Sequence, residues 1–125
     1  MRCSRPECAR KDERGEITDL LVQEKIEHVT LITSNKGAIR GNHYHKESTQ
    51  WVYVLEGRMR VLSQMPDSPV VATILEKGAL LVNVPEERHA MIALEQSTFM
   101  VFTRGPRGGE GYERDTYRLP QPLQG

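Results

Sequence analysis

In the stretch "GAIRGNHYHKESTQWVYVLEG", Gly37 to Gly57, His43 and His45 stand one residue apart and Gln50 follows five residues later. A third histidine, His89, comes directly after "PEER". In an extended strand residues i and i+2 face the same side, so His43 and His45 project together and Tyr44 turns away. A chain reversal at "KEST" would bring Gln50, at the start of the next strand, beside the two imidazoles. Together with His89 they would form a donor set of three neutral imidazoles and one amide oxygen. That set suits one divalent metal ion, such as zinc, nickel, manganese or iron, with open positions left for water or substrate. Without a metal the same histidines make an acid–base pair, because imidazole titrates near neutral pH. Strands also carry histidines of no special role, and His28 in "EHVTL" is read that way. From this segment alone all three readings stand open.

The elements that must position these residues are short and β-like. "IEHVTLIT" (26–33) is rich in β-branched residues, and "SNKG" breaks it. "QWVYVLE" (50–56) and "RMRVL" (58–62) flank a tight turn and predict a hairpin. "VVATILE" (70–76), "ALLVNV" (79–84), "HAMIAL" (89–94) and "TFMVFT" (98–103) follow at near-regular spacing. Such a pattern predicts an all-β sandwich or barrel closed around a central cavity. "EITDLLVQEKI" fits either a short helix or an irregular edge strand. Residues 1–16 read as an N-terminal arm, 17–104 as the barrel, and 105–125 as a Gly/Pro-rich C-terminal loop and tail poorly suited to a core.

The chain of 125 residues has the size of one domain. Lys plus Arg is 17 and Asp plus Glu is 17, so the net charge is zero and neither nucleic acid nor a membrane surface is expected as a partner. No apolar run approaches the ~20 residues of a membrane span. The polar start "MRCSRPECARKDERGE" does not read as a secretory signal, and a cytoplasmic location is expected. Cys3 and Cys8 lie in that segment and are expected as free, exposed thiols.

The spacing Gly37-x5-His43-x-His45-x4-Gln50-x6-Gly57 resembles the first motif of the cupins, with Gln50 where Glu is usual. Their second motif is matched at Gly78 and His89, while Val84, Glu86 and Ala93 replace its proline, glycine and asparagine. The resemblance, to the RmlC-like cupin superfamily, implies a double-stranded β-helix, a jelly-roll-like barrel, and a homodimer with the N-terminal arm exchanged. Carried over residue by residue, it makes His43, His45, Gln50 and His89 the metal ligands. A neutral amide in place of a carboxylate would leave the metal more cationic and a stronger Lewis acid, and less tightly held. In similar ketoisomerases the histidines act as acid–base groups with no metal.

"IRGNHYHK", "DERGEI" and "ERDTYRL" resemble segments of cupins that act on nucleotide-activated sugars. The resemblance therefore implies an isomerase or epimerase that moves a proton beside a sugar carbonyl. The other function classes are a metal-dependent dioxygenase and a small-molecule-binding module without turnover. No helix-turn-helix pattern is visible. Arg40 is a candidate to grip a phosphate or carboxylate, although regular parity would place it opposite His43 unless Gly41 bends the strand. Trp51 is a candidate wall for a sugar ring, and Arg88 a candidate at the barrel mouth. His43, His45 and Tyr53, with Tyr44 besides, are candidates to carry the proton. Trp51 and Tyr53 share one parity and Val52 and Val54 the other; which pair faces the cavity is open.

Overall fold

The computed structural model describes residues 2–106 and 109–125. In chain order the strands are β1 (Arg2–Ser4), β2 (Cys8–Asp12), β3 (Gly15–Thr18), β4 (His28–Ser34), β5 (Ile39–Tyr44), β6 (Thr49–Glu56), β7 (Arg58–Gln64), β8 (Val71–Glu76), β9 (Leu80–Asn83), β10 (Arg88–Ala93), β11 (Ser97–Arg104) and β12 (Tyr117–Arg118), with one short helix, α1 (Gly109–Arg114), before β12. Two five-stranded antiparallel sheets, in the orders β1-β9-β6-β11-β4 and β12-β5-β10-β7-β8, face each other, and β2-β3 form a separate hairpin. This is the expected all-β, jelly-roll-like barrel. "EITDLLVQEKI" makes no helix: its first three residues end β3, and the rest is irregular.

Strand alternation decides what fills the barrel. Val52 and Val54 of β6, Val101 and Phe99 of β11, Leu81 of β9, and Met59, Val61 and Leu75 of β7 and β8 form one buried cluster. Phe99, Val54, Val61, Leu75 and Leu81 are fully enclosed. Burying side chains of this size contributes about 1.5–3 kcal/mol each. Toward the other end of the same strands the inward positions become polar, with Gln50 on β6, Asn83 on β9, Thr103 on β11, Ser63 on β7 and His89 on β10, all buried. Gln50 lies opposite both Asn83 and Thr103 in the ladder, and His89 opposite both Ser63 and His43.

Both chain ends contribute a short strand to the sheets. β1 pairs with β9 of the same chain, Cys3 opposite Leu81, so in the single chain the first residues extend a sheet. Cys3 and Cys8 are free and exposed. The C-terminal segment folds back over the second sheet. β12 pairs with β5, Tyr117 opposite Tyr44 and Arg118 opposite His43. Backbone donors at Leu119 and Leu123 bond the Asn42 carbonyl and side-chain oxygens, both at 2.9 Å. Arg60 reaches the Gly125 carbonyl. Composition hid this, because Gly and Pro depress local propensity while strand pairing at a distance supplies the order.

Glu86 occupies the second-motif position where a glycine is usual, and its φ is +72°. A non-glycine residue in this region is strained by about 1–2 kcal/mol. Glu86→Gly is expected to raise stability by about 1 kcal/mol, read as a higher urea midpoint at unchanged slope. An unchanged or lower midpoint would mean that the Glu86–Arg88 ion pair, at 3.7 Å, outweighs the backbone strain.

Candidate active site

The polar end of the barrel opens into a cavity of about 400 Å³, lined by Arg40, His43, Gln50, Asn83, His89 and Arg118, with Ile32, Ile39, Gly41, Val52, Met91 and Val101 as its apolar walls. Its position on β5 depends on a bulge. His89 of β10 faces His43, yet the next residue, Ala90, faces Gly41, so Asn42 is an extra residue on β5. Gly41 and Asn42 both take positive φ, +97° and +58°. Bulges of this kind bend a strand and re-aim its side chains. With the extra residue, Arg40 and His43 both line the cavity, although they lie three apart in sequence. The Arg40 guanidinium donates to Ser34 Oγ at 2.8 Å and to the Thr33 carbonyl at 2.9 Å, which fixes it against β4.

His43, His45 and His89 converge. Ring centroids lie 4.9 Å apart for His43 and His45, 4.8 Å for His43 and His89, and 5.8 Å for His45 and His89. All three are buried. His45 sits just past the end of β5, beneath the cavity wall. Its Nδ1 is 2.8 Å from the Asp115 carbonyl oxygen, and His89 Nδ1 is 3.2 Å from the Glu87 carbonyl oxygen. A carbonyl only accepts, so both rings carry a proton on Nδ1, and in the neutral form the lone pair is on Nε2.

Burial pushes the His89 imidazolium down to about 4; the Glu87 carbonyl contact opposes this, and the nearby His45 adds to it. An unfolded histidine takes up its proton near 6.5, so between these values the unfolded chain binds more protons than the native one. The stabilisation from neutral His89 is therefore complete above about pH 6.5 and is lost as pH falls toward 4. The loss amounts to about 3 kcal/mol. Urea midpoints of chelator-treated protein should fall over this range and should fall less in His89→Gln. Parallel profiles for the two proteins would remove His89 as the cause.

Three neutral imidazoles suit a transition metal, and ring N–H groups held by backbone carbonyls are the usual support of metal-bound histidine. One ligand atom from each ring lies within 4.8 Å of the others. A tetrahedral ion with bonds near 2 Å wants about 3.3 Å between donors, so small side-chain rotations would be needed. The donor chemistry fits a metal, with Gln50 on the same cavity wall as the available amide.

Other expected residues are placed elsewhere. Val52 and Val54 take the inward parity, so Trp51 and Tyr53 lie on the outer face of their sheet and do not line the cavity. Trp51 is buried there, with the Arg104 guanidinium 5.3 Å from its ring. Arg88 also faces outward, because its neighbour His89 faces in; its guanidinium lies 3.8 Å over Tyr44. Tyr44 stacks on Tyr117 at 5.2 Å, and Lys46 covers Tyr117 at 4.5 Å. Strand parity thus keeps Trp51, Tyr53, Tyr44 and Arg88, the expected sugar wall, proton carriers and mouth residue, out of the lining of this cavity. Tyr53→Phe is expected to leave turnover within about twofold; a loss beyond tenfold would return Tyr53 to the site. Sequence reasoning missed Arg118, Asn83 and Asp115. "ERDTYRL" was the one signal that pointed toward two of them, as a likeness and not as a geometry.

A family model described as the polysaccharide biosynthesis C-terminal domain matches residues 10–103. No curated protein matches the sequence. Among solved structures, the QdtA sugar 3,4-ketoisomerase from Thermoanaerobacterium thermosaccharolyticum, in complex with TDP, is similar with a TM-score of 0.77 and 21% identity, over 95% of this chain and 88% of that one. The dTDP-4-dehydrorhamnose 3,5-epimerase from Sulfolobus tokodaii matches with a TM-score of 0.75 and 21% identity, over 91% and 73% of the two chains. The capsular polysaccharide assembling protein CapF from Staphylococcus aureus matches with a TM-score of 0.66 and 17% identity, over 86% of this chain and 32% of that one. Among the described residues no helix is long and apolar enough to cross a membrane.

Proposed function

The chain belongs to the polysaccharide biosynthesis C-terminal domain family and has the RmlC-like cupin fold, and on that premise we propose that it is a sugar isomerase or epimerase, moving a proton beside the carbonyl of a keto or nucleotide-activated sugar. The observation that carries this reading is one cavity holding His43 and His89 together with two guanidiniums, Arg40 and Arg118. Solved proteins of this fold include a ketoisomerase and an epimerase, which supports a sugar as the ligand.

Each group has a task that its chemistry allows. Arg40 and Arg118 grip a phosphate or carboxylate through paired N–H donors. Gln50 and Asn83 hold sugar hydroxyls through their amides. His43 takes the proton from the carbon next to the carbonyl. The negative charge then builds on the former carbonyl oxygen, which guanidinium and amide N–H groups stabilise. Return of the proton to the former carbonyl carbon, while the hydroxyl proton of the deprotonated carbon passes to the former carbonyl oxygen, isomerises the sugar; a solvent-derived proton reaching the same carbon from the other face inverts it. The apolar wall of Val52, Met91 and Val101 excludes water from the reacting carbon.

The carbonyl-held Nδ1 groups of His45 and His89 favour a second reading of the same pocket, in which His43, His45 and His89 hold a divalent metal ion with Gln50. When bound, such an ion would polarise the sugar carbonyl as a Lewis acid. Solvent-deuterium incorporation into a panel of nucleotide-linked keto sugars tests the proposal; binding without exchange would support a non-catalytic binding module instead. Elemental analysis of the purified protein tests the metal. Unchanged metal content in both His43→Ala and His89→Ala would remove these ligands, and iron with oxygen uptake would support the dioxygenase. The homodimer expected from the sequence is part of the proposal, and sedimentation of a single monomeric species would remove it.

A further inference from the structure

Two buried carboxylates outside the cavity repeat one arrangement. Asp115, in the C-terminal segment, accepts the backbone N–H of Lys46 at 2.9 Å, of Glu47 at 3.2 Å and of Ser48 at 3.1 Å, and the Ser48 hydroxyl at 3.0 Å. Three successive N–H groups of the turn after His45 thus close around one carboxylate, a geometry that suits an anion. Glu87 accepts the Val84 N–H at 3.1 Å and the Ser63 hydroxyl at 3.2 Å, and so ties the turn before β10 to β7. Asp115 is 3% exposed and Glu87 1%. In each case the carbonyl oxygen of the same residue meets a histidine Nδ1, Asp115 at His45 and Glu87 at His89.

We propose that Asp115 and Glu87 are positioning residues, each clamping its own backbone by the side chain so that its carbonyl oxygen holds one cluster histidine in the Nδ1–H form with the lone pair on Nε2. Burying a carboxylate is unfavourable unless its oxygens are well bonded, and both are. The result is a cluster whose ring orientation is set from outside by two turns, one in the C-terminal segment and one before β10. The same tautomer serves either reading of the pocket: it presents Nε2 to a metal ion, and without a metal it fixes the two rings that pack against His43. The inference rests on the histidine cluster as the working site, yet its test needs no turnover.

The test is the long-range ¹H–¹⁵N spectrum of the full chain, ¹⁵N-labelled at histidine, at pH 8. Wild-type protein should show His45 and His89 both protonated at Nδ1. Asp115→Asn places an N–H₂ among N–H donors and should move His45 toward Nε2–H while His89 stays; Glu87→Gln should do the reverse. Solvent exchange activity should fall about 10–100-fold in each, as for other residues that support active-site histidines. Nε2–H at either ring in wild-type protein overturns the proposal, and so does a ring that keeps pure Nδ1–H in its own variant. Should either variant not fold, Ser48→Ala and Ser63→Ala remove one clamp donor each, and unchanged His45 and His89 signals in them overturn it equally. Intact Nδ1–H signals in a protein that exchanges no sugar proton would count against the proposed reaction and leave this inference standing.

Discussion

His43→Gln is expected to lower solvent-deuterium incorporation into a keto-sugar substrate by about 10²–10⁴-fold, the range that loss of a positioned general base produces. Among the described residues lining the cavity there is no carboxylate, lysine or tyrosine. Guanidinium and amide groups offer N–H donors and no basic lone pair for a carbon-bound proton. His89 is held down to about 4 by burial, which makes its neutral form a weak base. His45 lies behind the wall with its Nδ1 proton committed to the Asp115 carbonyl. His43 is left as the proton carrier. Substrate binding, followed by calorimetry, should change far less than exchange, because Arg40 and Arg118 remain. If exchange survives in His43→Gln, the assigned base is wrong. If exchange disappears together with a bound metal, the loss reports the ion and favours the second reading.

Gly41→Ala is expected to destabilise the protein by about 3 kcal/mol and to disturb the site at the same time. A Cβ at Gly41 would lie 2.8 Å from the His89 carbonyl oxygen and 3.2 Å from the Ala90 Cα, both backbone atoms with little room to yield. The φ of +97° adds a conformational cost of about 1–2 kcal/mol for any L side chain, and the overlap adds about 1–3 more. Relief can come only by moving β5 away from β10, which separates His43 from His89. Thermal unfolding should shift down by about 10 °C, and exchange should fall even at temperatures where the variant is folded. A variant that loses stability but keeps full exchange would show that the spacing of the two histidines tolerates a shift of the strand.

The bulge explains much of what could and could not be read from the sequence. Parity alone put His43 and His45 on one face, and the structure brings both rings together with His89. The same rule applied without the extra residue put Arg40 on the wrong face; only Gly41 hinted at the bend. For β6, alternation gave two faces but no sign to say which was inner, because Trp51 and Tyr53 are as apolar as Val52 and Val54. The sign comes from β11, where Phe99 and Val101 face Val54 and Val52 across the ladder. The C-terminal contribution was illegible for a different reason. Asp115 and Arg118 act through pairings with residues some seventy positions earlier, and no local pattern in a Gly/Pro-rich segment encodes a partner at that distance.

Along β6, inward positions run from Gln50 at the mouth through Val52 to Val54 deep in the apolar cluster, and β9 runs from Asn83 to Leu81 in step with it. The fold thus separates the residues that hold it together from those that meet a ligand by distance along the strand, on shared elements. Exchanging one polar mouth residue for another alters what can be bound while the plug of Phe99, Met59 and Leu75 goes on supplying the stability. An architecture of this kind is open to change of substrate under mutation, since a lineage can drift in chemistry without first losing, and then regaining, the ability to fold.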